Sequence, residues 1–211
     1  MEIARGRFIT FEGIDGCGKT TQFRLLAQWL RENGKDVTET VEPGGTKIGQ
    51  QIRKILLDPA SAEIQPRTEL LLYFASRAQN VEQVIRPALD RGSIVLCDRF
   101  TDSTLVYQGC GRGLDTAIVR DLDRIACGGV KPDVTVLIDI DLETSLHRAR
   151  RRNERTGPAE SRIDEEDAAF HERVRKGYLA LAEAERDRIV KIDGRAGIGE
   201  VAKRVREAIG V

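Results

Sequence analysis

The chain predicts an α/β fold of three layers, with a central parallel sheet of five strands and helices on both faces. Three observations carry this. Five short stretches that read as strands recur along the 211 residues, separated by helical patterns, and strands alternating with helices mark a parallel sheet. The runs at 93–97 and 134–138 are nearly unbroken in apolar residues, as strands covered on both faces are. The first run, Phe8-Ile9-Thr10-Phe11, leads into Gly13-Ile14-Asp15-Gly16-Cys17-Gly18-Lys19-Thr20, which matches G-x-x-x-x-G-K-[ST] between a strand and a helix.

That loop is a phosphate cradle by its chemistry. Its glycines let the backbone close around phosphate oxygens, and its amides together with the following helix N-terminus favour an anion. Lys19 is expected to reach the β- and γ-phosphates of a nucleotide, and the Thr20 hydroxyl to ligate magnesium. The nucleotide-binding stretch is therefore residues 13–20.

Composition narrows the function. Lys plus Arg and Asp plus Glu each total 34, so no net positive field is available to hold a nucleic acid backbone. No apolar run approaches the ~20 residues that span a membrane, and the opening residues lack the apolar centre of a signal peptide. The four cysteines show no C-x-x-C spacing, so reduced thiols and a cytoplasmic protein are expected.

The elements follow in order. The helix after the P-loop, with Leu25, Leu26, Trp29 and Leu30, stops near Asn33-Gly34, where glycine suits the left-handed position. A strand at 36–41 exits through Glu42-Pro43-Gly44-Gly45-Thr46, either a plain turn or a ligand loop at a strand C-terminus. The next helix carries Ile48, Ile52, Ile55 and Leu56 on one face. Pro66 opens a further, mostly buried helix through Tyr73, Phe74 and Arg77. Its aromatic residues read as core, or as a platform beside a guanidinium that bonds the edge of a planar heterocycle.

The strand at 93–97 delivers Asp98 and Arg99 at its C-terminal end. Asp98 is the candidate to hold magnesium or its waters; a structural salt bridge with Arg99 or another residue is the competing reading, and Asp139, ending the strand at 134–139, is the rival acid. Ser103, Thr104, Tyr107 and Gln108 lie in a polar segment that reads as a binding helix or loop. The helix with Ile118, Leu122, Ile125 and Ala126 reads as packing, closed by Gly128-Gly129. The basic cluster Arg148, Arg150, Arg151, Arg152 and Arg155 is either a solvated helix face or a mobile cationic lid at about 148–165 that closes over transferring phosphates. A long helix, a strand at 189–193 and a final amphipathic helix complete one domain.

Together, Phe11 to Gly16 running into the P-loop, Glu42 to Thr46, Tyr73 to Arg77 and Asp98 to Gln108 resemble the thymidylate kinase family over essentially the whole chain. The resemblance implies a nucleoside-monophosphate-kinase-like P-loop fold, transfer of the γ-phosphoryl group of ATP to dTMP with Mg2+, and a homodimer. It implies that Asp15 and Arg99 position the sugar and phosphate of dTMP, that Tyr73 stacks on thymine, that Arg77 bonds its edge, that Thr104 faces the ring nitrogen and that Tyr107 crowds a ribose 2′-hydroxyl. Glu42, Ser103 and Gln108 complete the acceptor set. Cys17 stands where some members carry an arginine, so the resemblance is to the bacterial, lid-arginine type, with Lys19, Arg99, Arg150, Arg151 and Arg152 as catalytic cations beside Asp15. Val41 stands where arginine commonly precedes Glu-Pro-Gly-Gly, and Lys47 where proline is common, so one contact from that loop is expected to be absent or made by Lys47. A kinase for another nucleotide or nucleoside, or a P-loop regulatory ATPase, is the alternative. A thiolate at Cys17, favoured by Lys19 and the helix N-terminus, is a further expectation.

Overall fold

The sheet runs β2-β3-β1-β4-β5, and every neighbouring pair is parallel. Its strands are β1 (Phe8–Glu12), β2 (Val37–Val41), β3 (Ile94–Asp98), β4 (Val134–Asp139) and β5 (Ile189–Asp193), one on each stretch read as a strand. The helices are α1 (Lys19–Glu32), α2 (Lys47–Leu57), α3 (Pro66–Asn80), α4 (Arg86–Asp90), α5 (Thr101–Thr104), α6 (Thr116–Cys127), α7 (Leu142–Thr156), α8 (Ala168–Ala184) and α9 (Ile198–Ala208). This computed structural model describes residues 5–156 and 160–210, apart from the side chains of residues 152, 153, 155 and 156.

Alternation along β1 builds the two sides of the core. Ile9 and Phe11 join a cluster with Phe23, Leu26 and Leu30 of α1 and Val201 and Val205 of α9. Phe8 points the opposite way, toward Val81, Ile85 and Leu89, with Val95 and Cys97 of β3 beside it. Each such side chain contributes about 1.5–3 kcal/mol when fully buried. A third cluster, Leu70, Phe74, Val119 and Ala126, joins α3 to α6 outside the sheet layer.

Helix ends obey local chemistry. Gly34 follows α1 at φ 73°, Pro66 opens α3, and Gly128 closes α6 at φ 51°. The Thr46 hydroxyl caps α2 by accepting the Gly49 N–H at 2.9 Å. The reading of α6 as pure packing needs correction: Val119, Ala126 and Cys127 are buried, but Ile118 is 52% and Ile125 76% exposed. The apolar stripe is wider than its neighbours cover, which periodicity alone does not reveal.

Register positions the site. Phe11 and Val41 both lie opposite Asp98. Just beyond them, the Arg99 N–H donates to the Phe11 carbonyl and the Glu42 N–H to the Asp98 carbonyl, each at 3.0 Å. The exits of β1, β2 and β3 are thereby held side by side at the C-terminal edge, where open α/β sheets bind ligands. The polar segment after β3 is helical: α5 runs into a wide, π-helical stretch, Leu105–Gly111, that carries Tyr107 and Gln108.

Candidate active site

The P-loop is fitted against α7. At Gly16, with φ 80°, a Cβ would strike the Ser145 carbonyl and crowd Arg148 and Ala149, so only glycine lets the helix lie this close. The Ser145 hydroxyl donates to the Asp15 carbonyl, tying the two together. Residues 16–22 line a cavity of about 350 Å3 closed by Arg148, Gly194, Ala196, Ile198 and Val201. Lys19 is the first residue of α1 and only 7% exposed, with its ammonium 3.9 Å from Asp98 Oδ1.

The two acids at strand ends have different partners. The Thr20 hydroxyl donates to Asp98 Oδ2 at 3.3 Å, so two oxygen groups stand together at the rim of the cradle. Asp139 accepts two bonds from Arg175, at 2.8 and 3.1 Å. Arg99, next to Asp98 in the chain, turns to Asp15 instead, at 2.9 Å. Among the described residues no group of three or more His, Cys, Asp or Glu gathers for a metal. Magnesium characteristically takes only one or two protein ligands beside substrate phosphates and water, and Thr20 with Asp98 fits that donor set.

On the other side of the P-loop lies a second cavity of about 420 Å3, lined by Asp15, Glu42, Tyr73, Arg77, Arg99, Ser103, Thr104, Tyr107 and Gln108. The structure thus brings together every residue that the resemblance assigned to the acceptor. Arg77 is 1% exposed. Its Nε meets Glu42 Oε2 at 2.5 Å, its Nη2 donates to Thr104 Oγ1 at 2.8 Å, and its guanidinium lies 4.9 Å from the Phe74 ring centroid. Nη1, fully buried, has no acceptor among the described residues. Asn80 supports Glu42 at 3.1 Å, while burial pushes the Glu42 carboxyl up against the pull of Arg77. Tyr73 is half-buried at the wall, its phenol pushed up to about 12 by burial and by Glu69. Phe74, by contrast, belongs to the core.

Arg99 is the cation of this cavity that stands beside the P-loop residue Asp15. Its Nη2 donates to Asp15 Oδ1 at 2.9 Å and to the Tyr107 hydroxyl at 3.1 Å, and that hydroxyl donates on to Asp15 Oδ2 at 2.9 Å. Gln108 donates to Glu69 at 2.9 Å. Buried Glu69 also takes bonds from Arg112 and Arg162, so it fastens residues 162–166 to α3.

Some expectations fail. Cys17 is 2% exposed and packs in the core cluster even though it stands in the lining of the P-loop cavity, and burial pushes its thiol up with Lys19 only partly opposing, so a thiolate is disfavoured. Of the two outcomes expected at the 42–46 loop, a contact from Lys47 is not seen, since Lys47 is exposed and does not line the acceptor cavity; Arg53 does, bonding the Pro43 carbonyl at 2.9 Å and Glu160 through two nitrogens at 2.8 Å. Of the basic cluster, Arg148 lines the P-loop cavity, Arg150 lines a separate one between α7 and residues 161–168, and Arg151 is exposed. The side chains of Arg152 and Arg155 and the Gly157-Pro158 break lie outside the described residues. Sequence reading also missed Gly194 to Ile198 at the P-loop cavity, although their place after β5 follows the rule for strand C-termini.

A family model described as thymidylate kinase matches residues 11–205. The chain is 53% identical over 205 residues to the thymidylate kinase of Geobacter sp. (strain M21), covering 97% of this chain and 91% of that one. It is 52% identical to the thymidylate kinase of Geobacter sulfurreducens, covering 97% and 96%. The crystal structure of thymidylate kinase from Ehrlichia chaffeensis superposes with a TM-score of 0.80 at 33% identity, covering 97% of this chain and 99% of that one.

Proposed function

Because the chain belongs to the thymidylate kinase family, it is an ATP-dependent nucleoside monophosphate kinase that phosphorylates dTMP, and we propose the following division of labour within it. The observation that carries the assignment of the acceptor side is Arg77, a guanidinium in the lining of the cavity walled by Tyr73 whose buried Nη1 has no acceptor among the described residues. Such a donor suits a ring carbonyl, and the neighbouring aromatic face suits a flat base. Tyr107, fixed by Asp15 and Arg99, fills the space beside the sugar.

The acceptor is a phosphate monoester, largely a dianion at neutral pH because its second ionisation lies near pKa ~6. One of its oxygens bonds to the γ-phosphorus while the bond to the β–γ bridging oxygen breaks and ADP leaves. No general base is required. Lys19 neutralises the donor phosphates, and Arg99 orients the acceptor phosphate from across the P-loop, so the two cavities that meet at Asp15 and Gly16 hold the reactants on either side of the transferring group. Thr20 and Asp98 would hold the magnesium that accompanies ATP, whose contribution is charge neutralisation at the phosphates.

The remaining cations come from α7 and the segment after it, acting as a lid at about 148–165 on a single kinase domain. Neutralising Arg150, Arg151 and Arg152 together is expected to lower kcat by about tenfold or more with a smaller change in nucleotide affinity, since charge needed mainly in the transition state acts that way. Steady-state kinetics decide it: an effect confined to KM makes the cluster a binding surface. Arg148 adds a cation at the P-loop cavity itself.

We also infer a homodimer. Leu71 on α3 is 56% exposed, and Ile118 and Ile125 on the adjacent α6 are exposed as well; a two-fold contact would cover this patch with its own copy. Sedimentation equilibrium should return twice the chain mass, and a chain mass at micromolar concentration rules the dimer out. A cytoplasmic location accords with the four free thiols, and no described helix is long and apolar enough to cross a membrane.

A further inference from the structure

We propose that Glu12, the last residue of β1, is a positioning residue that aims Arg99 at the acceptor through the Phe100 amide and the hydroxyls of Ser103 and Tyr178. The inference rests on the reading of Arg99 as the acceptor-side cation. Glu12 is fully buried and is not among the residues lining either reactant cavity, so it acts through others.

The geometry is a two-stage clamp. Arg99 has φ 71°, a left-handed conformation that non-glycine residues rarely adopt and that persists only where the surroundings impose it. Glu12 Oε1 accepts the N–H of the very next residue, Phe100, at 2.8 Å and that of Ser103 at 3.3 Å, which pins the backbone just past the turn. Glu12 Oε2 accepts the Ser103 hydroxyl at 2.6 Å and the Tyr178 hydroxyl at 2.7 Å. Those two oxygens in turn accept from Arg99 Nη1, at 3.0 and 3.1 Å.

Proton inventory gives the carboxylate its specific part. Each hydroxyl has one proton, and each is committed to Glu12, so both present lone pairs to the guanidinium. Nη1 is thereby satisfied on the Glu12 side, which leaves Nη2 to face Asp15 and Tyr107 at the cavity. A neutral amide in place of the carboxylate still accepts the two backbone N–H groups. Its NH2, however, donates toward the hydroxyls, which stand 2.8 Å apart; one can turn its proton to the other, and the remaining proton loses its acceptor beside the Arg99 cation.

The charged and titratable groups facing Glu12 are Asp102 on α5, Arg99, Tyr178 on α8 and Cys97 on β3. Burial, and then Asp102, push the Glu12 carboxyl up to about 7, against Arg99, Ser103 and Tyr178. The ionised form is the one that organises Arg99, so dTMP turnover should rise with pH through this range. The dTMP phosphate adds its own limb near pH ~6, which belongs to the substrate.

The experiment compares Glu12→Gln, Tyr178→Phe, Arg99→Lys and the Glu12→Gln/Arg99→Lys double variant in kcat, KM for each substrate and pH profile. Glu12→Gln is expected to lower kcat/KM for dTMP by about tenfold or more, to leave KM for ATP within about twofold, and to lose the limb near pH 7 while keeping the substrate's limb. The double variant should fall no further than the worse single variant, because both changes act through one guanidinium. If Arg99→Lys leaves the dTMP parameters untouched, the reading of Arg99 fails and the clamp with it. If Arg99→Lys is impaired but Glu12→Gln keeps the wild-type dTMP parameters and pH profile, or the two effects simply add, Glu12 is a structural carboxylate and the proposal is overturned. Should Glu12→Gln not fold, Tyr178→Phe, which removes one relay hydroxyl and keeps Glu12, decides: a lowered kcat with unchanged KM for ATP supports the clamp, and wild-type values overturn it.

Discussion

Replacing Lys19 with alanine is expected to lower kcat by about a hundredfold or more, because the lost ammonium faces charge that develops on the transferring phosphoryl group. The sequence alone suggests a lysine on an exposed loop. It is instead a buried first residue of α1, held near Asp98 at the edge of the phosphate cradle. That changes the argument in two ways. A desolvated cation interacts more strongly with phosphate than one in bulk water does. Its removal also leaves Asp98 without that partner, but the Asp98 side chain is 19% exposed and keeps the Thr20 bond, so the stability cost should stay near 1 kcal/mol. Single-turnover transfer from ATP to dTMP, read beside thermal denaturation, separates the two effects. A folded variant that transfers near the wild-type rate would remove Lys19 from the phosphoryl path.

What was legible in the sequence was what local pattern determines. The five stretches read as strands became the five strands, and the glycines, Pro66 and Thr46 ended or began helices where their backbone chemistry requires. The acceptor residues were readable only as a set of motifs; their convergence on one cavity depends on β2, β3 and β1 lying side by side, which is a property of strand order. Cys17 shows how local reasoning goes wrong. Lys19 and a helix N-terminus do favour a thiolate, but packing in the core cluster strips the sulfur of water and outweighs them, which neither neighbour in sequence reveals. Arg53 was missed for the converse reason: nothing in its own helix distinguishes it from a solvated arginine, and only the fold brings Pro43, Glu160 and the acceptor cavity to it. Glu12 drew no reading of its own from the sequence. Its four donors come from the segment after β3 and from α8, far along the chain.

The second large effect is expected at Arg77, where alanine should weaken dTMP binding and destabilise the fold together. On the binding side, loss of a charged hydrogen-bond donor from the wall of the acceptor cavity should cost about 1.5–3 kcal/mol in dTMP affinity, with ATP affinity unchanged. On the stability side, Glu42 is 2% exposed and would keep only Asn80 among its present side-chain partners. Breaking a buried pair by removing one partner costs about 3–5 kcal/mol. The loss of guanidinium contact with the Phe74 and Phe100 rings, at 4.9 and 5.1 Å, adds to it. Protonation of Glu42, which burial already favours, recovers part of that cost, so the variant should lose less stability at acidic pH than at neutral pH. Lysine at this position keeps the charge but offers a single ammonium where Glu42, Thr104 and the cavity each need a donor in a fixed plane, so it should restore stability more fully than dTMP affinity. Calorimetric titration with dTMP and with ATP, well below the melting temperature of each variant, reads the binding term apart from the folding term. Wild-type dTMP affinity in folded Arg77→Ala would mean that Nη1 does not face the base, and that the guanidinium serves only to hold Glu42 and Thr104 in place.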